Sequence, residues 1–578
     1  MFHQAPASHR PTILGTHSMV ASTHYLASEA GARIFALGGN AVDAGVATGL
    51  ALAVVLPQRV NLGGVAPILI RTADGTTANI VGLGPWSRLA TLELVRGRWG
   101  GDLPEGIART VVPAALSAYL VALERFGTLP FATVSAPARE LAAGGFVVGP
   151  TLSAGIAAEQ AKLANWPTSR QVFLPSGRVP PVGTTLRQTE LAHLLDLLGE
   201  AERAAAHRGR EAAIRAAHDR FYRGDIAEGI ARFVQAEGGL LDQDDLAAFQ
   251  APVDDPIRIQ LRNGYDVLEC GPWSQGPVLL QALRLLEYFG PEVFDPFDAG
   301  ATHLRLEALK LAFADREAYY GDPKFVDVPL AGLLSREYAA GRREQIDPDR
   351  AAPGLPPPGD PWSAQGSPGR AVPGIVVEVS RGPGASDTTY VAAADASGTV
   401  FSATPSDPAF WSPLVPGLGI SASARGSQTW LDDRHPSGLQ PGKRPRLTPN
   451  PALVLRDGQP VLALGTPGGD VQCQAMLQVL GLILDAGWDV QEAIEAPRAA
   501  SYSAPSSFWP HQAEPGIVRA ESRLGAEVLA GLRQRGHTVV EWPAWIAEAG
   551  SVCAVQFGEN GVLRGGADPR REAYAIGW

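Results

Sequence analysis

The stretch Ser386-Asp387-Thr388-Thr389-Tyr390 decides the fold, because it separates two very different kinds of sequence. Upstream of it, residues 351–386 are rich in proline and glycine and are predicted to form a linker without regular structure. Downstream, residues 388–395 and 399–404 are mainly threonine, valine, alanine and aromatic residues around a short turn, which predicts a β-hairpin. Thr388 is therefore expected at the first position of the first strand of that hairpin.

The position of Thr388 predicts a chemical role. A hydroxyl residue at the point where a linker enters a sheet is the arrangement of a self-cleaving N-terminal-nucleophile hydrolase. If the bond between Asp387 and Thr388 breaks, Thr388 gains a free α-amine, which can act as the base for its own hydroxyl. The alternative is an ordinary strand threonine, and Thr388 taken alone favours that alternative.

The composition is that of a globular protein. Of the 578 residues, 45% are hydrophobic and 19% are charged, which allows a large core and several domains. A net charge of −11 argues against nucleic acid or an anionic membrane as a partner. The three cysteines, Cys270, Cys473 and Cys553, form no C-x-x-C pair, so neither a disulfide framework nor a cysteine zinc site is expected.

The sequence also contains little that would direct the protein to a membrane or a metal. The N-terminus has no basic segment followed by an apolar one, and the longest apolar run, residues 44–56, is 13 residues long. That run is too short to cross a bilayer and predicts a buried helix over residues 41–56, capped by Asn40. The eleven histidines are scattered, and the common metal, nucleotide and serine-hydrolase motifs are absent. We therefore expect a soluble, cytoplasmic protein that needs no metal or other cofactor.

A second feature with a chemical meaning is Gly465-Thr-Pro-Gly-Gly-Asp470, which joins a predicted strand at 461–464 to a helix beginning near Val471. The N–H groups of Gly468 and Gly469 are unobstructed by side chains and lie close to a helix N-terminus, whose dipole favours negative charge. Such a turn can bind the oxyanion of a tetrahedral intermediate in acyl transfer. The alternative is a tight turn that needs glycine for its backbone conformation alone.

These features occur within a series of short motifs spread over nearly the whole chain. In chain order the motifs are Met19-Val-Ala-Ser-Thr-His24, Ala27-Ser-Glu-Ala30, Gly38-Gly-Asn-Ala-Val-Asp-Ala44, Glu307-Ala-Leu-Lys-Leu-Ala-Phe-Ala-Asp-Arg316, Tyr320-Gly-Asp-Pro323, Pro441-Gly-Lys-Arg-Pro445, Gly465-Thr-Pro-Gly-Gly469, Glu495-Ala-Pro-Arg498 and Gly566-Ala-Asp-Pro-Arg570. With these motifs in this order and at this spacing, the chain resembles the γ-glutamyltranspeptidase (glutathione hydrolase) family.

The resemblance implies an α+β fold with four αββα layers, made as one precursor and cut into two subunits that stay associated. By position the cut falls between Asp387 and Thr388. It would give a large subunit of residues 1–387, with a linker at about 351–386, and a small catalytic subunit of residues 388–578. The two subunits together would form one catalytic unit, and a homo-oligomer is compatible with the sequence.

The resemblance also assigns roles to individual residues. It implies that Thr388 is the nucleophile and that Gly468 and Gly469 donate to the oxyanion. Ser406 falls where the family has a hydroxyl that hydrogen-bonds the nucleophilic threonine.

The residues expected to hold a γ-glutamyl group depart from the family pattern. Gly84 stands where the family has an arginine that binds the substrate carboxylate, and Arg88 follows four residues later as a possible substitute. A bidentate pair between arginine and carboxylate is difficult to replace. The pattern is therefore more similar to the acylase and amidohydrolase branch of the family, which includes cephalosporin-acylase-like and oxamate-amidohydrolase-like members.

Other positions of the expected substrate pocket also differ. Thr448, preceded by a leucine, stands in place of a pair of serines, and Asp407 lies beside a proline that replaces an asparagine. Arg425 belongs to a segment, residues 423–428, that replaces one with further ligands of the amino group. The candidates for substrate binding are accordingly Arg88, Thr448, Arg425 and Asp407.

The sequence therefore predicts an autoprocessed amidohydrolase that cleaves a small acyl-amide through an acyl-enzyme on Thr388. One alternative is a true γ-glutamyltransferase or glutathione hydrolase whose pocket is rebuilt around Arg88 or Arg425. Another is a homologue that is never processed and has no catalytic activity. The expected partners are the small-molecule substrate and the two subunits of the same precursor.

Overall fold

The computed structural model describes residues 8–369 and 387–578. About half of the linker predicted at about 351–386 therefore lies outside the described residues, and only residues 351–369 can be compared with the prediction. This part contains one short helix, Pro361–Ala364, and is otherwise irregular.

The described residues form nineteen β-strands, most of them four or five residues long. They are β1 (Ile13–Gly15), β2 (Ser18–Ser22), β3 (Ile68–Arg71), β4 (Thr77–Ile80), β5 (Phe146–Val147), β6 (Thr185–Leu186), β7 (Val253–Asp254), β8 (Ile257–Gln260), β9 (Tyr265–Glu269), β10 (Val391–Asp395), β11 (Val400–Ala403), β12 (Ala452–Arg456), β13 (Gln459–Gly465), β14 (Ala499–Ser501), β15 (Ile517–Glu521), β16 (Thr538–Trp542), β17 (Cys553–Phe557), β18 (Leu563–Ala567) and β19 (Tyr574–Gly577).

In the described residues, the α-helices lie mainly between residues 25 and 343, followed by one short helix before residue 369 and three more near the C-terminus. They are α1 (Tyr25–Ala36), α2 (Ala41–Val55), α3 (Leu92–Trp99), α4 (Ala115–Phe126), α5 (Phe131–Gly144), α6 (Pro150–Ala158), α7 (Gln160–Asn165), α8 (Pro167–Phe173), α9 (Thr189–Ala205), α10 (Arg210–Arg223), α11 (Asp225–Ala236), α12 (Gln243–Ala247), α13 (Gly276–Leu286), α14 (Ala299–Tyr319), α15 (Leu330–Leu333), α16 (Arg336–Arg343), α17 (Pro361–Ala364), α18 (Gln472–Leu484), α19 (Val490–Glu495) and α20 (Ala526–Gln534).

Two antiparallel sheets of seven strands form the centre of the molecule. One has the order β1-β18-β17-β13-β12-β9-β8 and the other the order β19-β2-β10-β11-β3-β4-β7. Each sheet combines strands from both sides of the bond between Asp387 and Thr388. In the second sheet, for example, β2 pairs with β10 in the register Val20 to Ala393. The two parts of the chain are thus built into the same sheets and not into separate units.

Apolar side chains join the sheets to each other and to the helices. A cluster that includes Met19, Leu69, Tyr390, Leu453 and Val555 draws its members from both sheets. On the second sheet, helices such as α1 and α2 bury a second apolar cluster, and on the first sheet α13, α14 and α18 bury a third. The molecule is therefore a mixed α/β structure in which antiparallel sheets are covered by helices.

The predicted helix over residues 41–56 is confirmed as α2. Asn40 caps it, since its side chain accepts hydrogen bonds from the N–H groups of Val42 and Asp43, and Asp43 returns a bond to the Asn40 N–H. All residues of α2 are buried. Gly45 faces Phe401 of β11 so closely that an added Cβ would lie 2.2 Å from the ring, so glycine is required there.

Two details of the strand prediction are wrong. Thr388 does not begin the first hairpin strand, because β10 starts at Val391 and the Thr388 backbone has a φ of +80°, which no strand accommodates. The pattern of residues 552–557 also predicts the last strand of the chain, whereas β18 and β19 follow it in the structure. Among the described residues, no helix combines the length and the apolar composition needed to cross a membrane.

Candidate active site

Thr388 lies fully buried immediately before β10, in a backbone conformation that is unusual for a β-branched residue. Its N–H donates to the carbonyl oxygen of Arg59 at 3.2 Å, and its neighbour Thr389 donates from N–H and Oγ1 to the carbonyl oxygen of Pro405 at 2.9 and 2.8 Å. Hydrogen bonds to distant carbonyl oxygens thus fix the chain at Thr388 and at the residue that follows it.

The hydroxyl of Thr388 belongs to a small buried network. Its Oγ1 lies 2.7 Å from Ser406 Oγ and donates to Asp387 Oδ1 at 3.0 Å. Ser406 Oγ also donates to Asp387 Oδ2 at 3.1 Å, while its backbone pairs with that of Val65. The predicted nucleophile and the predicted hydroxyl partner are therefore in direct contact.

Arg425 completes this network from a short 3₁₀ helix, Arg425–Gln428. Its guanidinium is fully buried, and one terminal nitrogen donates to both Asp387 Oδ2 and Ser406 Oγ. The other two nitrogens, Nε and Nη1, have no hydrogen-bond acceptor within the described part of the chain. The rings of Trp411 and Phe508 flank the guanidinium, with centroids 5.4 and 5.5 Å from Cζ.

Asp407 holds the backbone that carries Arg425. Its Oδ2 accepts from Ser423 Oγ at 2.6 Å and from the Ala424 N–H at 3.0 Å. Burial raises the pKa of Asp407 to about 6, although Arg425 and the Ser423 hydroxyl act in the opposite direction. Asp407 directly follows Ser406 in the chain. Through these hydrogen bonds it orients the segment that carries Arg425.

Gly468 and Gly469 form the turn that the sequence predicts, with φ values of +133° and +57°. Gln275 Nε2 donates to the carbonyl oxygens of Gly469 at 2.8 Å and Thr448 at 2.9 Å. Thr448 is buried, and its Oγ1 accepts from Gln428 Nε2 at 2.9 Å. Thr448 thus connects the glycine turn to the 3₁₀ helix that begins with Arg425.

A cavity of about 650 Å³ opens beside the glycine turn and the rings that flank Arg425. Its lining includes Gly468 and Gly469, the aromatic rings of Trp411 and Phe508, and two arginines that contact Thr388, namely Arg59 and Arg571. Arg571 donates from Nη1 to the carbonyl oxygen of Thr388 at 3.4 Å. Thr388 itself is not among the lining residues, whereas Arg59 and Arg571, which contact it, are.

Sequence reasoning missed Arg59 and Arg571. Burial, and then the positive charge of Arg59, lowers the pKa of Arg571 to about 9. Arg571 is separated from Thr388 by 183 positions, so no local pattern connects them. The one signal in the sequence is that Arg571 follows directly on the Gly566–Arg570 motif.

The structure does not bring Arg88 to this cluster. The Arg88 side chain is 48% exposed and lies 2.7 Å from Asp242 and 2.9 Å from Asp244, and it does not line the cavity. At Gly84, an added Cβ would lie 1.8 Å from the carbonyl oxygen of Val112, so no side chain fits there. Of the four substrate-binding candidates, Arg425 contacts Ser406 beside Thr388, Asp407 and Thr448 contact the segment that carries Arg425, and Arg88 lies elsewhere.

A second group of titratable side chains lies apart from the cavity. His303 Nδ1 lies 2.9 Å from His537 Nε2, which lies 4.0 Å from Glu307 Oε1. These three residues could hold a metal ion. Lys310 already donates to Glu307 at 2.7 Å, however, so a metal ion would have to compete with its charge. The two histidines are 234 positions apart in sequence, which is why they look scattered there.

Comparison with known proteins places the chain in one family. The family model described as Gamma-glutamyltranspeptidase matches residues 27–578. The Acylase ACY 1 proenzyme of Pseudomonas sp. (strain SE83) is 34% identical, and the match covers 97% of this chain and 94% of that protein.

Solved structures agree with this match. The chain described as "Structure of LmbA2991HD" is 37% identical, with a TM-score of 0.92 over 99% of this chain and 100% of that one. The cephalosporin acylase from Bacillus halodurans is 30% identical, with a TM-score of 0.85 over 100% of this chain and 98% of that one. The chain therefore belongs to the γ-glutamyltranspeptidase family and is a hydrolase of the N-terminal-nucleophile class.

Proposed function

We propose that the chain is an autoprocessed amidohydrolase whose nucleophile is Thr388. The observation that carries the proposal is the 2.7 Å contact between Thr388 Oγ1 and Ser406 Oγ, beside the carboxylate of Asp387. The packed sheets with helices on them support a four-layer αββα arrangement. Cleavage between Asp387 and Thr388 would divide the chain into residues 1–387 and 388–578. The proenzyme name of the Pseudomonas acylase supports such a division.

The contacts of Thr388 support a mechanism for cleavage of the bond between Asp387 and Thr388. Its hydroxyl oxygen adds to the carbonyl carbon of Asp387 and displaces the Thr388 nitrogen, which takes the hydroxyl proton, so that the peptide becomes an ester. Water then hydrolyses the ester and leaves Thr388 with a free α-amine and its hydroxyl restored. The Asp387 carboxylate and the Ser406 hydroxyl are placed to hold the proton of the Thr388 hydroxyl.

The same hydroxyl then acts on the substrate. Thr388 Oγ attacks the amide carbonyl, its α-amine accepts the hydroxyl proton and passes it to the departing amine, and an acyl-enzyme remains. Water adds to the acyl-enzyme and releases the acid. In both steps the N–H groups of Gly468 and Gly469 are proposed to donate to the oxyanion, a contribution of about 10²–10³ in rate for each donor.

The substrate is proposed to be a small acyl-amide. Arg425, Asp407 and Thr448 are the proposed positioning and binding residues, since Arg425 contacts Asp387 and Ser406 and the buried contacts of the other two hold the segment that carries Arg425. The cavity of about 650 Å³ has room for a ligand of small-molecule size. The names of the acylase relatives support an amide substrate.

Denaturing electrophoresis tests the proposal directly. The purified wild-type protein should give two bands, and N-terminal sequencing of the smaller should begin with Thr-Thr-Tyr-Val. Thr388→Ala should give one band of full length and no hydrolysis of acyl anilides. Thr399→Ala is the matched control, since it removes a threonine hydroxyl at the far end of the same hairpin and should still be cleaved. A wild-type protein that stays intact on prolonged incubation, or a Thr388→Ala variant that is cleaved, contradicts the proposal.

A further inference from the structure

The carboxylate of Asp387 occupies a site built for an anion. It is fully buried and accepts hydrogen bonds from Arg425, Ser406 and Thr388. Asp387 also provides the carbonyl carbon that Thr388 attacks during the proposed cleavage. In the uncut chain, Asp387 is therefore an acyl group with a carboxylate, held against the nucleophile in the manner of a substrate.

We propose that the acyl half of the natural substrate carries a carboxylate, which binds Arg425 and Ser406 where the Asp387 side chain lies in the uncut chain. This inference rests on the proposed function of Thr388. Cleavage makes Asp387 the last residue of the large subunit, held at this site by non-covalent contacts alone. An incoming carboxylate can then replace it.

The charge of Arg425 supports this exchange. A fully buried guanidinium without a counter-ion is strongly unfavourable, so once Asp387 leaves, Arg425 requires another anion. Its Nε and Nη1 atoms, which lack acceptors among residues 8–369 and 387–578, give a free carboxylate more donors than Asp387 uses. Trp411 and Phe508 touch the guanidinium and also line the cavity, so the site adjoins the space through which a substrate arrives.

The covalent structure of Asp387 also indicates how long the acyl group of the substrate is. Two carbons, Cα and Cβ, separate its attacked carbonyl carbon from its carboxylate carbon. The matching free acyl group is succinyl, the four-carbon acyl group of a dicarboxylic acid. A γ-glutamyl group has one more carbon between its carbonyl and its carboxylate and carries an amino group as well. The chemical class assigned to the site is thus the monoamides of short dicarboxylic acids, with succinyl amides preferred.

Three p-nitroanilides measured on the processed wild-type enzyme test the class and the length. Succinyl, glutaryl and butyryl anilides share the leaving group, and the butyryl group replaces the succinyl carboxylate with a methyl group. The kcat/KM of the succinyl anilide should exceed that of the glutaryl anilide about 10-fold and that of the butyryl anilide about 100-fold or more. A butyryl anilide hydrolysed within threefold of the succinyl anilide overturns the inference and leaves the proposed amidohydrolase activity intact.

Calorimetric binding of succinate, glutarate and butyrate to the same preparation gives a readout that does not depend on turnover. Succinate should bind at least tenfold more tightly than butyrate. If no anilide is hydrolysed, the proposed function fails, and succinate binding still decides whether the anion site exists. Equal binding of succinate and butyrate overturns the site.

Paired charge variants locate the site. Arg425→Gln should lower the kcat/KM of the succinyl anilide at least tenfold more than it lowers that of the butyryl anilide. Lys162→Gln removes a cation from the same cavity, where Lys162 pairs with Glu105 and Glu159, and should leave both substrates unchanged. An equal loss for both substrates in Arg425→Gln contradicts the assignment. If that variant is not cleaved, the three ligands on the wild-type enzyme remain the deciding measurement.

Discussion

Two buried arginines, Arg570 and Arg425, differ in how fully their hydrogen-bonding groups are used. Arg570 donates from Nε and Nη2 to Glu521 at 2.8 and 2.6 Å and from Nη1 to Asp568 at 3.1 Å. Arg425 donates only from Nη2, to Asp387 and Ser406, and no acceptor for its other nitrogens occurs in the described residues. Both guanidinium groups are buried, so burial alone does not separate a structural cation from a functional one.

The difference in partners does separate them. Although burial opposes it, the charges of Asp568 and Glu521 raise the pKa of Arg570 above its ordinary value. Arg570 thereby joins β15 to the segment between β18 and β19. Among the residues that the structure describes, Arg425 has one carboxylate partner, and that partner belongs to the bond proposed to be cut. A saturated ion cluster fixes the fold, whereas an unsaturated one leaves donors for a ligand.

The largest expected effect concerns the saturated cluster. Arg570→Gln removes the cation between Asp568 and Glu521 and leaves two buried carboxylates without it, so the free energy of unfolding should fall by about 3–5 kcal/mol. Denaturant unfolding followed by circular dichroism measures the change. Arg88→Gln, an exposed arginine paired with surface aspartates, is the control and should cost about 1 kcal/mol or less. A loss below 1 kcal/mol in Arg570→Gln would remove the contrast between the two buried arginines.

Ordinary γ-glutamyl substrates should be poor, because the family arginine is absent at Gly84 and no side chain fits there. Loss of a bidentate arginine–carboxylate pair costs roughly 2–5 kcal/mol, or about 30- to several-thousand-fold in kcat/KM. The measurement compares γ-glutamyl-p-nitroanilide with an acyl anilide that lacks the α-amino acid group, on one processed preparation. A tenfold preference for the γ-glutamyl substrate would refute the pocket argument, and Arg88→Ala and Arg425→Ala would then show which arginine binds it.

The glycine turn is expected to affect the rate and not the stability alone. Valine at Gly469 would distort a backbone with a φ of +57° and displace a proposed oxyanion donor, lowering kcat by about 10²–10³. Gly458, in the turn between β12 and β13, has a φ of +74° and no neighbour within 4 Å of an added Cβ. Gly458→Val therefore reproduces the backbone strain away from the proposed active site, and its kcat should stay within threefold of that of the wild type. Equal losses in both variants would show that strain alone explains the effect.

The smallest expected effect is a dependence of the free energy of unfolding on pH, which we assign to Asp407. Burial raises its pKa in the folded protein to about 6, above the ordinary value of 3.8, so folding favours the protonated form. Its contribution to stability is fully present below about pH 4 and is lost as the pH rises through 6, a change of about 2–3 kcal/mol. Asp407→Asn can keep the acceptor for Ser423 and Ala424 and should abolish this slope in denaturant unfolding measured from pH 4 to 7. A variant with the wild-type slope would assign the titration to another group.

Much of the site was predictable because its signals are local. The glycine turn, the buried helix α2 with its Asn40 cap, and the family motifs are all readable within a few neighbouring residues. The conformation of Thr388 was not, because a positive φ at a threonine is imposed by hydrogen bonds that Thr388 and Thr389 donate to the carbonyl oxygens of Arg59 and Pro405, which lie outside the hairpin pattern.

The sequence by itself determined the family, the candidate nucleophile and the absence of an arginine at Gly84. Only the tertiary structure decided which cations surround Thr388: it placed Arg425, Arg59 and Arg571 there and left Arg88 on the surface. The physical reason is distance along the chain. Local patterns report backbone preferences over a few residues, whereas the pairing of a buried charge depends on which distant segments the two sheets bring together.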